Sequence, residues 1–305
     1  MENTKFLIFL QNVKGLGSST LRVLIKRGAF KDNNFKDLKD VLSWLNKWGE
    51  YFPKQWPADK ITLQDLEKAN LVRQKIERDV KMCGAKAICY FDEEYSKRFK
   101  RMNDFPIVLY CLGDTSLLNS EKTIAVIGTR GANTQIGSVN LGVTESLVKN
   151  GYVTVSGFAK GHDLLCFDAT NLYQGKHIAI LPSGFNHIYP EEHKEIVPRA
   201  LNRGHLFISE YPPASKPEKF TFVERDRLQT ALSDGVVVME TSSNGGTMHA
   251  ARATKKYHKP LFVFSPRYEI KECKLDGNKL LVEKWGGISF TGATEIIENL
   301  QKHQN

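Results

Sequence analysis

The chain has 305 residues, 41% hydrophobic and 25% charged, with a formal net charge of +9 and a pI near 9.2. That is the range of a globular protein with ample sequence for a sizeable core, and no apolar run approaches the roughly 20 residues needed to cross a bilayer. The opening stretch MENTKFLIFLQNVKG holds too few apolar residues for a secretory leader. Cys83, Cys89, Cys111, Cys166 and Cys273 are odd in number, scattered and without a CxxC pair. Free thiols in a reducing cytoplasm are therefore expected, with neither disulfide nor zinc. A basic balance permits a polyanionic partner. The surplus is uneven: residues 1–85 hold 16 Lys and Arg against 10 Asp and Glu.

The first 83 residues predict a small all-α domain. KFLIFLQNV, SSTLRVLIKRGAF, NFKDLKDVLSWLNKW and TLQDLEKANLVRQKIERDV place apolar residues at three- and four-residue spacing. Asn33 or Asn34 is the expected cap of the third helix, and Thr62 with Asp65 the expected capping box of the fourth. Between the first two lies VKGLGSST, a helix-hairpin-helix turn in which Gly15 and Gly17 let the chain reverse and Ser18 or Ser19 caps the next helix. Such a helix start can hold a phosphate or be a purely structural hairpin.

Residues 84–305 predict a second domain, an α/β unit. KAICYFD and PIVLYCLGD read as two strands of an extension. TIAVIG, YVTVSG, HIAILPSG, HLFISEY, GVVVMET and PLFVFSP follow as short apolar strands, separated by helical stretches of about 10–15 residues. This alternation predicts a doubly wound, mostly parallel Rossmann-like sheet covered on both faces. After Ser265 the pattern is mixed, with GISF followed by a short helix, ATEIIENLQK.

In an open parallel sheet, ligands bind beyond the carboxyl ends of the strands, so the exits carry the chemistry. The first parallel strand ends in Gly128-Thr129-Arg130. The second ends in Ser156-Gly157-Phe158-Ala159-Lys160-Gly161-His162-Asp163. The GxGxxG fingerprint is absent, and no acidic residue closes the second strand, which excludes an ordinary dinucleotide enzyme. Arg130 and Lys160 leave neighbouring strands and are expected to flank one groove beside helix starts rich in free amides, an anion site. The other reading of Arg130 is a surface arginine bonding the sheet's own carbonyls. Further on, Lys216, Lys219, Arg225 and Arg227 alternate with Phe220 and Phe222. Cations interleaved with rings suit a single nucleic-acid strand. Their spacing of two favours core positions for both phenylalanines, and Arg227 is also a candidate for an ion pair with Glu210 or Asp226.

VIGTR, SGFAKGHD, GFNHIYPEE, SEYPP, FVERDR, the GGT turn at Gly245-Gly246-Thr247 and GNKLL at Gly277 to Leu281 occur in an order and spacing that resembles the DprA/Smf family of DNA-processing proteins. The likeness runs over most of the chain, and VKGLGSSTLRVLI falls where that family carries its small helical domain. The resemblance implies an extended Rossmann fold that binds single-stranded DNA, forms a homodimer, protects incoming strands in natural transformation and loads a RecA-type recombinase, with no catalysis and no cofactor. It implies a pocket lined by Arg130, Lys160, Arg225 and Arg227, with Gly128, Ser156 and Gly157 shaping its floor. Thr129, Gly161, Lys219, Gly245, Gly246 and Thr247 complete the candidate phosphate contacts.

The chain departs from that family where GID reads GHD, placing His162 at the isoleucine position. It departs again where RRNR reads ERDR, adding Glu224 and Asp226, and where the SGS turn reads NGGT. A winged helix is not found at the C-terminal end. These changes suit a divergent branch, in a phage-defence or mobile-element setting. His162 is expected to be a satisfied helix-start residue. The alternative function is a nucleotide sensor or a phosphoribohydrolase. NGGTMHA shares the glycines and threonine of the lonely-guy hydrolases' PGGxGTxxE turn, but Ala250 stands at the glutamate position, leaving Glu210 or Glu240 as substitutes.

Overall fold

The computed structural model describes residues 2–31, 35–52, 56 and 60–302. VKGLGSST separates α1 (Asn3–Gln11) from α2 (Ser18–Lys26). Gly15 turns the chain with a φ of 86°, while Gly17 is extended and immediately precedes α2. The helix therefore starts at Ser18 with no side-chain cap, in place of the serine cap expected. α3 (Leu38–Tyr51) is capped by Asp37, whose carboxylate accepts from the amides of Lys39 and Asp40. Asn33 and Asn34 lie outside the described residues. α4 (Leu63–Met82) carries the expected box: Thr62 Oγ1 accepts from the Asp65 amide at 3.2 Å, and Asp65 accepts from the Thr62 amide at 3.0 Å.

The alternating region follows as β1 (Lys86–Cys89), α5 (Lys97–Lys100), β2 (Val108–Gly113), β3 (Thr123–Ile127), α6 (Thr134–Lys149), β4 (Val153–Ser156), α7 (His162–Leu172) and β5 (His177–Ile180). Then come α8 (Val197–Asn202), β6 (Leu206–Ser209), α9 (Lys219–Leu232), β7 (Val236–Val238), α10 (Thr247–Lys256), β8 (Leu261–Phe264), α11 (Asp276–Trp285), β9 (Ile288–Phe290) and α12 (Ala293–Lys302). All nine strands form one sheet in the order β1-β2-β6-β5-β4-β3-β7-β8-β9. β2 pairs antiparallel with β1 and with β6, and every other pairing is parallel. This is the doubly wound, Rossmann-like α/β architecture expected, with β1 and β2 as its extension. GISF adds the ninth strand, and GNKLL opens α11.

Ile124, Ala125 and Val126 are fully buried, as are Val236, Val237 and Val238, because helices cover both faces of the sheet. One core cluster is shared by the helical region and the sheet, and α1 packs on α4, β1 and β2. From β3 the chain winds outward through β4, β5 and β6, then returns to the other side of β3 as β7 and continues to β8 and β9. The winding direction reverses between β3 and β7. The connections on either side of that reversal part, leaving a crevice at the carboxyl ends of these strands.

Candidate nucleic-acid interface

A cavity of about 410 Å³ occupies that crevice. Gly128, Thr129 and Arg130 line it from the β3 exit, Gly245, Gly246 and Thr247 from the start of α10, and Phe222, Arg225 and Asp226 from α9. Arg130 is exposed, and no carboxylate pairs with it among the described residues. Its guanidinium lies 5.3 Å from the Phe222 ring centre and 5.5 Å from that of Tyr189, whose hydroxyl it approaches at 3.4 Å. The two rings meet edge to face at 5.1 Å. They hold the arginine by cation–π attraction without neutralising it. Among the described residues no carbonyl of the sheet accepts a bond from it.

Beneath the rim lies a buried knot of hydrogen bonds. Glu240, 1% exposed, follows β7. Its Oε2 accepts from the Asn133 amide at 2.9 Å and its Oε1 from the Lys274 amide at 2.7 Å, while its backbone carbonyl accepts from the Thr129 amide at 2.8 Å. His162 Nε2 stands 3.0 Å from Glu240 Oε2. Asn140 Nδ2 donates to the His162 carbonyl at 3.0 Å and to Nδ1 at 3.2 Å, which places the imidazole proton on Nε2, toward Glu240. Burial would raise the Glu240 carboxyl, but the bonds from His162 and the two amides hold it below its ordinary value. His162, the first residue of α7, is fully satisfied. Its ring fills the space a side chain at Gly128 would need, and Gly161 lies as close to the carbonyls of Thr129 and Arg130.

At the β4 exit, Gly157 gives way to Arg225. A Cβ on Gly157 would coincide with the guanidinium, which turns inward, donates to the Ile180 carbonyl at 3.1 Å and lies 3.1 Å from Asp226 Oδ1. Asp163 accepts from the Gly157 amide at 2.9 Å. Burial raises its carboxyl and pushes that of Asp226 up to about 6, with the Arg225 charge opposing in both. Arg225 thus reaches the cavity from beneath, half committed to the fold. Ser156 is fully buried, its hydroxyl 3.2 Å from His177 Nε2. It supports the floor and does not line the cavity.

The remaining candidates lie elsewhere. Lys160 is exposed, pairs with Glu192, and lines a neighbouring cavity with Tyr189 and Pro190. Arg130 and Lys160 therefore do not converge on one cavity; they occupy adjacent ones joined by Tyr189. Arg227 does not reach the rim. Its guanidinium grips Glu210 through two bonds of 2.6 and 2.8 Å and lies 3.5 Å from Asp104, which also accepts from Lys256 and Tyr257. The reason is helical geometry: two residues beyond Arg225, it projects from a different face of α9. Lys219, the first residue of α9, is exposed and lines neither cavity. The same periodicity corrects the core assignment of the phenylalanines. Phe220 is 53% exposed, and Phe222 is partly buried on the cavity wall.

Tyr189 and Lys274 are site residues that sequence patterns do not reveal. Tyr189 belongs to GFNHIYPEE, so its ring is visible in the sequence but its place beneath Arg130 is not. Nothing local marks Lys274, which lines the cavity from the stretch before α11. Glu210 and Glu240, the candidate substitutes for a catalytic glutamate, are both engaged away from the cavity, while Ala250 lines it. Among the described residues no group of His, Cys, Asp or Glu is set to hold a metal ion, and no helix is long and apolar enough to cross a membrane.

Comparisons with known proteins bear on this geometry. The family described as DNA recombination-mediator protein A matches residues 86–301. DNA processing protein DprA of Bacillus subtilis is 31% identical over 276 residues, covering 85% of this chain and 90% of that protein. Among solved structures, DNA processing protein A of Helicobacter pylori, described for its single-stranded DNA binding mode, is 32% identical, with a TM-score of 0.63 over 72% of this chain and 96% of that one. DprA of Streptococcus pneumoniae shares the fold, with 22% identity and a TM-score of 0.79 over 97% of both chains. Strand order, rim and matching residues lead to one assignment: the chain belongs to the DNA recombination-mediator protein A family, the DprA/Smf proteins.

Proposed function

We propose that the chain binds single-stranded DNA at the switch-point rim, without catalysis or cofactor. The observation that carries this is Arg130: a guanidinium supported by two rings, open to solvent and without a carboxylate, beside the amides that begin α10. A phosphate fits between that fork and those amides, and Phe222 offers a face for a base. Gly128, Thr129, Gly245, Gly246 and Thr247 would approach the backbone most closely, with Arg225 beneath. Lys160 would take a phosphate farther along the strand once Glu192 releases it, and Gly161 would keep that turn tight. The H. pylori relative supports the choice of ligand. On the family's pattern the chain acts as a cytoplasmic homodimer that protects incoming strands and loads a RecA-type recombinase, with residues 1–83 as a helical accessory domain. Sedimentation with and without recombinase tests the dimer and the recombinase partnership.

A salt titration of labelled oligonucleotides, single against double strand, tests the DNA reading. Log affinity should fall with log salt at a slope of about −0.7 per phosphate neutralised, and Arg130→Ala should weaken all sequences alike. No single-strand binding at low salt would sink it. The cavity's size also suits one nucleotide, the basis of a second reading as a nucleotide sensor. Thermal protection by a nucleoside monophosphate without release of its base would favour that reading.

A further inference from the structure

A second cavity, of about 490 Å³, opens at the other end of the sheet. Its position follows from its contacts. Arg98, on α5, donates to the carbonyl of Glu121 at 2.8 Å and pairs with Asp234, whose carboxylate accepts from the Thr123 amide at the start of β3. Lys259 lies two residues before β8. The cavity therefore sits under the amino ends of β3, β7 and β8, whereas the rim lies beyond their carboxyl ends.

Four cations line it: Arg98, Arg101, Lys256 and Lys259. Two are neutralised, Arg98 by Asp234 and Lys256 by Asp104 at 2.7 Å. Asp104 is already shared with Tyr257 and lies near Arg227. Arg101 and Lys259 have no carboxylate partner among the described residues. Arg101 is exposed, but Lys259 is only partly so. An ordinary surface lysine extends its ammonium into water. The backbone at Lys259 is fixed: its amide donates to the Thr254 carbonyl at 2.9 Å, His258 before it is left-handed with φ 52°, and Pro260 follows. Burial first, then the charge of Arg98, hold its ammonium below the ordinary lysine value, with the Asp234 carboxylate opposing and Arg101 adding a smaller push downward. An exposed arginine and a partly buried lysine, neither paired with a carboxylate, set around one concavity are an electrostatic cost to the free protein that a bound anion would offset.

We propose that this cleft is a second phosphate-binding site, in which the Arg101 fork and the Lys259 ammonium grip the oxygens and the Asn103 side chain lines the wall. An arginine fork matches two phosphate oxygens, and a lysine adds a point charge that tolerates the third. The phosphate has two possible sources: the backbone of a strand long enough to pass from the rim to the far end of the sheet, or a small phosphorylated molecule. Only the first rests on the DNA reading.

The test uses the full chain, Arg101→Ala, Lys259→Met and their double variant. Calorimetry with inorganic pyrophosphate reads the small anion. Anisotropy with labelled oligothymidylates of about 6 and about 30 nucleotides reads the strand, the shorter being confined to the rim. For a backbone site, the double variant weakens the long oligonucleotide about tenfold, lowers its salt slope by about 1.4, and leaves the short one unchanged. For a small-molecule site, pyrophosphate affinity falls at least fivefold and neither oligonucleotide changes. If neither pyrophosphate nor the long oligonucleotide responds, the proposal is overturned, while the rim reading stands or falls separately on Arg130→Ala with the short one. Arg101 is exposed, so Arg101→Ala alone still decides the matter should Lys259→Met fail to fold.

Discussion

The rim at the β3–β7 switch point and the junction between α9 and the segment around Asp104 both rest on arginine, with opposite results. At the junction, Arg227 meets Glu210 and Asp104, and Arg22 of α2 donates to the Phe105 carbonyl at 2.8 Å nearby. The Arg227 charge is spent within the fold, tying α9 to β6 and to the turn below α2. At the rim, Arg130 rests on Tyr189 and Phe222, which orient the guanidinium and, apart from one long bond to the Tyr189 hydroxyl, leave its hydrogen-bonding edge to solvent. A tally of basic residues counts these two alike. What separates them is whether the surroundings supply a carboxylate or a ring.

The largest effect that can break this comparison is on stability. Arg227→Met leaves Glu210 partly buried without its partner and should cost about 3 kcal/mol, read from urea unfolding, while DNA affinity of the folded protein stays the same. Loss of DNA affinity with stability intact would erase the distinction. Arg130→Ala should do the reverse, weakening single-strand binding roughly 10- to 100-fold with no shift in the unfolding midpoint. Glu192→Gln should free Lys160 and tighten binding roughly two- to threefold at low salt, an advantage that vanishes at high salt because the pair is exposed.

Acidity sharpens the picture further. The Asp226 carboxyl, at about 6, lies above its unfolded value of 3.8, chiefly through burial, with Arg225 and Arg130 opposing and Asp163 adding to it. Its charged form therefore costs stability above pH 6, and the cost is relieved as pH falls through 6 toward 3.8. The cavity loses one negative charge over the same window. DNA should bind up to about twofold tighter at about pH 5.5 than at about pH 7 through this group, and Asp226→Asn should remove that component. An unchanged pH profile in Asp226→Asn would exclude the carboxylate from the cavity's electrostatics.

Much of this was legible in the residues. Runs such as TIAVIG and GVVVMET mark strands because a sheet covered on both faces needs continuous apolar side chains, and the box at Thr62 and Asp65 marks a helix start by its hydrogen-bonding chemistry. The order of the strands was not legible, since a long stretch of chain, with three strands and four α-helices in it, runs between the end of β3 at Ile127 and the start of β7 at Val236, and only tertiary packing makes them neighbours. The site was legible where it sits on one exit, as at Gly128-Thr129-Arg130. It was not where a helix rotates equal-looking residues to different faces, as in FVERDR, nor where the partner comes from a distant loop, as with Tyr189. The serine expected to cap α2 illustrates the same limit on a smaller scale: Gly17 took the boundary position.

The carboxylate of Glu240 gathers amides from the stretches before α6 and before α11, the imidazole that begins α7, and, through its own carbonyl, the turn after β3. Three separate pieces of chain, the β3–α6 connection among them held twice, are thus fastened to a single residue before any ligand arrives. A strand settling there meets a mould already set, so the entropy of ordering falls on the flexible polymer and little on the protein.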